Sequence, residues 1–325
     1  PSGVQYGRLV DIGRELVEQK VSRSMPDRLL RGSLRYVLPR AGLFNSLLAL
    51  GRVARPVLPQ MLKDKIPLKV AAGLWPTTTH KRKMLLLDGC VQPGMAPNIN
   101  SATARVLDKL GVTLVRADKV GCCGAISHHL NAQHEALEYV RRNIDAWWPH
   151  IEAGAEAIVV TASGCGTMVQ DYGHLLQHDS VYAKKAERVS ALFRDVSQVI
   201  SDEQNHLKEL LKKSNKSNSY KIAFHAPCSL QHGLKLKNIV EPLLSAAGFT
   251  LTAVPDAHLC CGSAGTYSIT QPQLSKQLLK NKVTALESGA PDLIATANIG
   301  CLTHIQSGAS KNVKHWIEVL DERMS

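Results

Sequence analysis

The eight cysteines of this 325-residue chain follow one pattern, used twice. They stand at Cys90, Cys122, Cys123 and Cys165, and again at Cys228, Cys260, Cys261 and Cys301. The first gap is 32 positions in both sets, and the last is 42 in one and 40 in the other. A single Cys, a Cys-Cys-Gly and a later single Cys, repeated at this spacing, marks an internal duplication. The fold must therefore bring distant thiols to equivalent places twice.

The flanks repeat with the cysteines. Before each adjacent pair comes a helix-then-strand pattern, closed by Gly111 in one copy and Gly248 in the other. Both glycines suit the left-handed residue that ends a helix. Before each last cysteine comes a short apolar run, Ile158-Val-Val or Leu293-Ile-Ala, typical of a strand buried on both faces. Each copy also opens with a strand, Met84-Leu-Leu-Leu or Lys221-Ile-Ala-Phe. Long helices are expected over 127–148, with Leu130, Leu137, Val140, Ile144 and Trp147 in one stripe, and over 273–288, with Leu274, Leu278, Val283 and Leu286. Strands alternating with helices predict an α/β fold, two similar Rossmann-like repeats with parallel sheets. Every cysteine then falls just past a strand's C-terminal end, where ligands gather in such sheets.

The expected organisation is a basic helical lead-in over 1–83, a first cysteine-rich domain over 84–200, a polar linker over 201–220, and a second cysteine-rich domain over 221–325. The charge is confined to the lead-in, which holds 16 Lys/Arg against five acids, while the remaining residues hold 23 against 22. A basic segment attracts nucleic acid, anionic lipid or an acidic partner. With only Tyr6, Tyr36, Phe44 and Trp75 as aromatics and no reader motif, nucleic acid is not the expected partner. The apolar turns between Ser33 and Ile66 suit either a membrane surface and docked partner or a solvated helical layer over the core. No apolar run reaches the roughly 20 residues of a membrane span.

Three uses of the thiols compete. Structural disulfides fit poorly with an ample core and with adjacent cysteines, which bond to each other only in a strained ring. Structural zinc suits thiolates, but its usual knuckles space two cysteines two to four residues apart. An iron–sulfur cluster also prefers thiolates, and Gly124 and Gly262 would allow a tight corner close to it. A cluster-free remnant whose cysteines only pack is the fourth possibility.

Over about its last three quarters the chain resembles the CCG cysteine-rich domain family. That family includes cysteine-rich subunits of heterodisulfide reductase and of anaerobic glycerol-3-phosphate dehydrogenase, and lactate-utilisation and glycolate-oxidase iron–sulfur subunits. The resemblance is strongest to the glycolate-oxidase group. It rests on Pro1-Ser-Gly-Val-Gln-Tyr-Gly-Arg-Leu-Val-Asp, Leu87-Asp-Gly-Cys-Val-Gln-Pro, Gly121-Cys-Cys-Gly-Ala, His225-Ala-Pro-Cys and Leu259-Cys-Cys-Gly-Ser-Ala-Gly. In that group a ferredoxin-like domain precedes the repeats and its last ligating cysteine is followed by proline. Pro1 resembles that proline, which implies a chain lacking the ferredoxin-like part.

The resemblance implies an oxidoreductase subunit that carries electrons through a [4Fe-4S] iron–sulfur cluster. The implied metal ligands are Cys90, Cys122, Cys123, Cys165, Cys228, Cys260, Cys261 and Cys301. FAD would sit only in a partner subunit that oxidises glycolate to glyoxylate, beside a further flavoprotein-like subunit. Quinone would be the acceptor, and the location cytoplasmic, peripheral on the inner face of the membrane through the basic segment. The fullest form of the repeat ends in Cys-x-x-Cys, but here the fifth position is Met168 or His304. His225 and His304 are the candidates for supporting hydrogen bonds, with His128 and His129 behind them. Two other readings stay open: a related lactate, glycerol-3-phosphate or disulfide-reducing subunit, and a cluster-free scaffold.

Overall fold

The computed structural model describes residues 4, 6–59, 63, 66–213 and 220–325. Pro1 and residues 214–219 of the expected linker lie outside the described residues. Each repeat is a four-stranded parallel sheet. The first contains β1 (Arg82–Leu86), β2 (Val112–Val115), β3 (Ile158–Val160) and β4 (Phe193–Asp195), in the order β2-β1-β3-β4. The second contains β5 (Lys221–His225), β6 (Thr250–Leu251), β7 (Leu293–Thr296) and β8 (Asn312–His315), in the order β6-β5-β7-β8. Leu85 pairs with Ile158 and Leu86 with Val159; Phe224 pairs with Ala295 and His225 with Thr296. The apolar runs form central strands because both faces are covered: Leu85, Leu86, Ile158, Ile222 and Ile294 are almost wholly buried.

Before the repeats come α1 (Tyr6–Lys20), α2 (Met25–Val37) and α3 (Ala41–Ala54). None buries a residue completely. Leu9, Ile12, Leu16, Leu29, Leu47 and Leu50 are exposed. The lead-in is tied to the first repeat by Asn131 Nδ2, which donates to Arg14 O at 2.8 Å, by Arg35–Glu135 at 3.0 Å, and by Arg52, which donates to Gly94 O at 3.0 Å.

Within the repeats, α4 (Asn98–Lys109), α5 (Gln133–Glu152) and α6 (Ser163–Gln170) serve the first sheet, followed by α7 (Val196–Asp202) after β4. Their counterparts in the second repeat are Glu241–Ala246, α8 (Pro272–Glu287), α9 (Ile299–Gln306) and α10 (Trp316–Met324). Two expectations change. The helix expected over 127–148 is broken into Ala125–His129 and α5, because Asn131 adopts φ +58° where it meets Arg14. In α8 the buried face is Ser275, Lys282, Val283 and Leu286, while Leu274 of the expected stripe is 55% exposed. The stretch 201–220 is helical through Lys213, with Leu207 and Leu211 buried.

The repeats interlock. Helix α10, at the end of the second repeat, lies along α4 of the first: Arg105 holds Asp321 at 2.6 Å, and Asn98 donates to Glu318 at 2.9 Å. Ser163 N donates to Ala297 O at 3.3 Å, and the Ser163 and Ser229 hydroxyls meet at 2.7 Å. The last strand of each repeat ends on a residue that caps the following helix: Asp195 accepts from Ser197 N, and His315 Nδ1 accepts from Ile317 N. Because Nδ1 accepts, His315 Nε2 carries the proton it donates to Thr161 O at 2.9 Å, across the join.

Candidate metal centres

In each repeat three strand ends deliver the thiols. Cys90 follows β1, Cys122 and Cys123 follow β2, and Cys165 lies in the first turn of α6; Cys228, Cys260, Cys261 and Cys301 follow β5, β6 and β7 in the same way. All eight thiols are free. Neighbouring thiols act on one another along two chains, Cys90–Cys122–Cys123–Cys165 and Cys228–Cys260–Cys261–Cys301, each shifting the acidity of the next.

The second residue of each chain is the most acidic. The thiol of Cys123, then that of Cys90, donates to Cys122 and holds it well below the ordinary thiol value; the Gly124 amide adds a bond at 3.4 Å. Cys228, then Cys261, does the same for Cys260, drawing it down to about 2 with the Gly262 amide at 3.3 Å. The donors Cys90, Cys123, Cys228 and Cys261 are pushed up by those same bonds and by burial. A buried thiolate is costly unless positive charge offsets it, as the Arg142 charge does in part for Cys122. The same atoms become favourable donors once a soft metal group supplies positive charge.

Both corners need glycine. Gly124 has φ +92° and Gly262 φ +90°, and a Cβ would sit 2.9 Å from Ala136 O in one and 2.5 Å from Ser275 O in the other. Met168 and His304, at the position where a fifth cysteine would stand, lie behind these corners. The Met168 methyl is 3.4 Å from the place of a Gly124 Cβ. His304 Nε2 meets Ser275 Oγ at 3.1 Å, and Ser275 Oγ donates to Gly262 O at 2.8 Å. Since the Ser275 proton is spent on Gly262, His304 must donate, and its Nε2 supports the corner through Ser275. Burial lowers the His304 pKa.

His225 is 2% exposed, and a ring nitrogen of it lies within 4.8 Å of both Cys261 Sγ and Cys301 Sγ. Its Nδ1 meets Thr296 Oγ1 at 3.0 Å, while its Nε2 has no partner. Burial, with the Lys282 charge adding to it, takes its pKa down to about 3, so the ring is neutral. Ligand atoms of Asp11, His128 and His129 also fall within 4.8 Å of one another, but Asp11 is already paired with Arg14 at 3.3 Å. His128 is buried and His129 exposed in the turn after Gly124, neither of them capping a helix.

The residues missed by sequence reasoning stand behind the corners. In the first repeat Asn143 Nδ2 donates to Cys122 O at 2.9 Å, and Tyr172 Oη donates to Cys123 O at 2.8 Å. In the second, Lys282 occupies the place of Asn143 and donates to Asp256 O at 2.9 Å and Ala257 O at 3.3 Å. The available signal is a polar residue seven positions beyond the one facing each glycine: Ala136 to Asn143, and Ser275 to Lys282.

Four thiols from three strand ends, one poised as thiolate and none spent on a disulfide, suit a tetra-thiolate iron–sulfur group. The model of the CCG family, described as a cysteine-rich domain, matches residues 84–170 and 222–306. The glycolate oxidase iron-sulfur subunit of Escherichia coli (strain K12) is 52% identical over 325 residues, covering 100% of this chain and 78% of that protein. The probable glycolate oxidase iron-sulfur subunit of Bacillus subtilis (strain 168) is 26% identical, covering 96% of this chain and 74% of that one. Lactate utilization protein A of Bacillus pumilus is 28% identical over 74% of this chain and 100% of its own length.

Proposed function

The chain belongs to the family of glycolate oxidase iron–sulfur subunits, built on two CCG cysteine-rich domains, and on that premise we propose that it carries electrons for such an oxidase. The carrying observation is the pair of four-thiol chains, each with one acidic member at a glycine corner. We assign Cys90, Cys122, Cys123 and Cys165 to one [4Fe-4S] cluster, and Cys228, Cys260, Cys261 and Cys301 to another. Such a group supplies one-electron chemistry. The protein's part is to hold it. Cys122 and Cys260 would hold it as thiolates, their neighbours would release protons on ligation, and the glycine corners let the backbone come close.

The hydride chemistry on glycolate, yielding glyoxylate, belongs to an FAD-bearing partner subunit, with a further flavoprotein-like subunit beside it. Electrons then leave towards quinone. The lead-in supports a peripheral seat at the inner face of the cytoplasmic membrane: it is strongly basic and keeps Leu9, Ile12, Leu16, Leu29 and Leu50 exposed. No helix among the described residues is long and apolar enough to cross a membrane.

The test is anaerobic purification and reconstitution, with iron and acid-labile sulfide assays and low-temperature EPR of the reduced chain. Iron with matching sulfide and a reduced-cluster signal is the expected result. Zinc without sulfide, or no metal after reconstitution, overturns the proposal.

A further inference from the structure

Lys282 is 3% exposed, deep in α8, where helix periodicity calls for an apolar residue. Its ammonium donates to the carbonyls of Asp256 and Ala257, which lead into Cys260. These two bonds leave one of its three protons unspent. No carboxylate is bonded to it among the described residues; burial lowers its pKa, and the Asp256 carboxylate opposes this less than the nearby sulfurs do. A buried cation without an anion is among the most costly things a fold can contain. The groups that act on it most strongly are sulfurs: Cys228, Cys261 and Cys260, in that order. The thiolate site itself is therefore the missing anion.

The first repeat is built differently. At the place of Lys282 stands Asn143, neutral and bonded to Cys122 O. At the place of the neutral His225, three residues after the start of the equivalent pairing (Leu85 with Ile158, Ile222 with Leu293), stands Asp88, whose charge is taken up by Arg116 at 3.0 Å. Four thiolates around an iron–sulfur core leave a site negative in both oxidation states, and each electron gained adds one negative charge. Both sites have a cation near them, since Arg142 Nη2 donates to Cys122 O at 3.4 Å and its charge lowers the Cys122 pKa. Arg142 is half-buried where Lys282 is buried, and a buried charge acts more strongly on a site's electron affinity.

We propose that Lys282 is a positioning residue whose buried ammonium serves as counter-charge to the Cys228–Cys260–Cys261–Cys301 site and makes that site easier to reduce. This rests on the cluster assignment above. The step it favours is a one-electron exchange: the reduced flavin of the partner subunit is oxidised by one electron as the site around Cys261 is reduced by one, and no bond is made or broken.

The experiment is an EPR-monitored redox titration of the whole reconstituted chain, with Lys282→Met and Lys282→Arg beside the parent. Lys282→Met lowers the midpoint of the signal that Cys261→Ser removes and leaves any other signal in place, moving its oxidised-to-reduced ratio at fixed potential at least tenfold, about 59 mV for one electron; Lys282→Arg leaves it near its parent value. Iron lost from the Met variant but kept by the Arg variant also supports the counter-charge. Full iron with unmoved midpoints in the Met variant overturns it. Iron lost from both variants overturns it too, since Lys282 is then only a tether for 256–257. A parent chain without iron, or one from which Cys261→Ser removes none, fails the cluster assignment instead and takes this inference with it.

Discussion

Behind Cys122–Cys123 the buried polar groups are Asn143 and Tyr172, with the half-buried Arg142 donating to Cys122 O at 3.4 Å, and three of the four thiols are buried. Behind Cys260–Cys261 they are Lys282 and His225, and Cys228 and Cys260 are only half-buried. The strand order, the glycine corners and the thiol chains are the same in both. Duplication has thus kept the donor set and varied the charge and exposure around it. The frame decides whether a cluster can sit there, and the surroundings decide how readily it takes an electron.

The comparison breaks most visibly at the sulfurs. Cys123→Ser and Cys261→Ser should each remove the iron and sulfide of their own repeat and leave the other's. If only one substitution has an effect, only one repeat carries metal.

The corners should show a smaller inequality. Gly124→Ala and Gly262→Ala both force a side chain into left-handed backbone, at about 1–2 kcal/mol. The closer carbonyl at Gly262, 2.5 Å against 2.9 Å, should make the second substitution the more damaging in thermal unfolding. Equal losses would mean that Ser275 and its helix move aside freely.

The smallest effect lies in the caps. Burial raises the Asp195 pKa to about 6 against bonds from Ser197, and lowers the His315 pKa to about 4 against its carbonyl partners. For Asp195 the folded state keeps a proton that the unfolded chain has lost, so its contribution to stability falls as pH rises from about 4 to 6. For His315 the unfolded chain holds the extra proton, so its contribution is present above about pH 6.5 and is lost as pH falls towards 4. Each slope is at most about 1.4 kcal/mol per pH unit. Asp195→Asn should flatten the first and His315→Asn the second. Melting profiles that change in the same direction for both would break the account.

How much of this could be read from residues alone follows from the distance over which each feature is specified. The duplication, the parallel strands and the placement of every cysteine past a strand end are written in local periodicity and spacing, and the sheets bear them out. Lys282 escapes notice because Leu274, Leu278, Val283 and Leu286 make an acceptable stripe without it. Only the packed helix shows that Leu274 faces out and Lys282 in. The break at Asn131 depends on a contact with Arg14, over a hundred positions away, which no window of sequence contains. The pairing of α10 with α4 is likewise invisible, since Arg105 and Asp321 look like ordinary surface charges until they meet.

That last pairing has a consequence in time. The first repeat's α4 is covered by residues 316–324, the last of these helices to leave the ribosome. Domains usually fold in the order they are made, but here the earlier half keeps an open flank until the later half is complete. A premature stop that spares every cysteine would still damage the half made first.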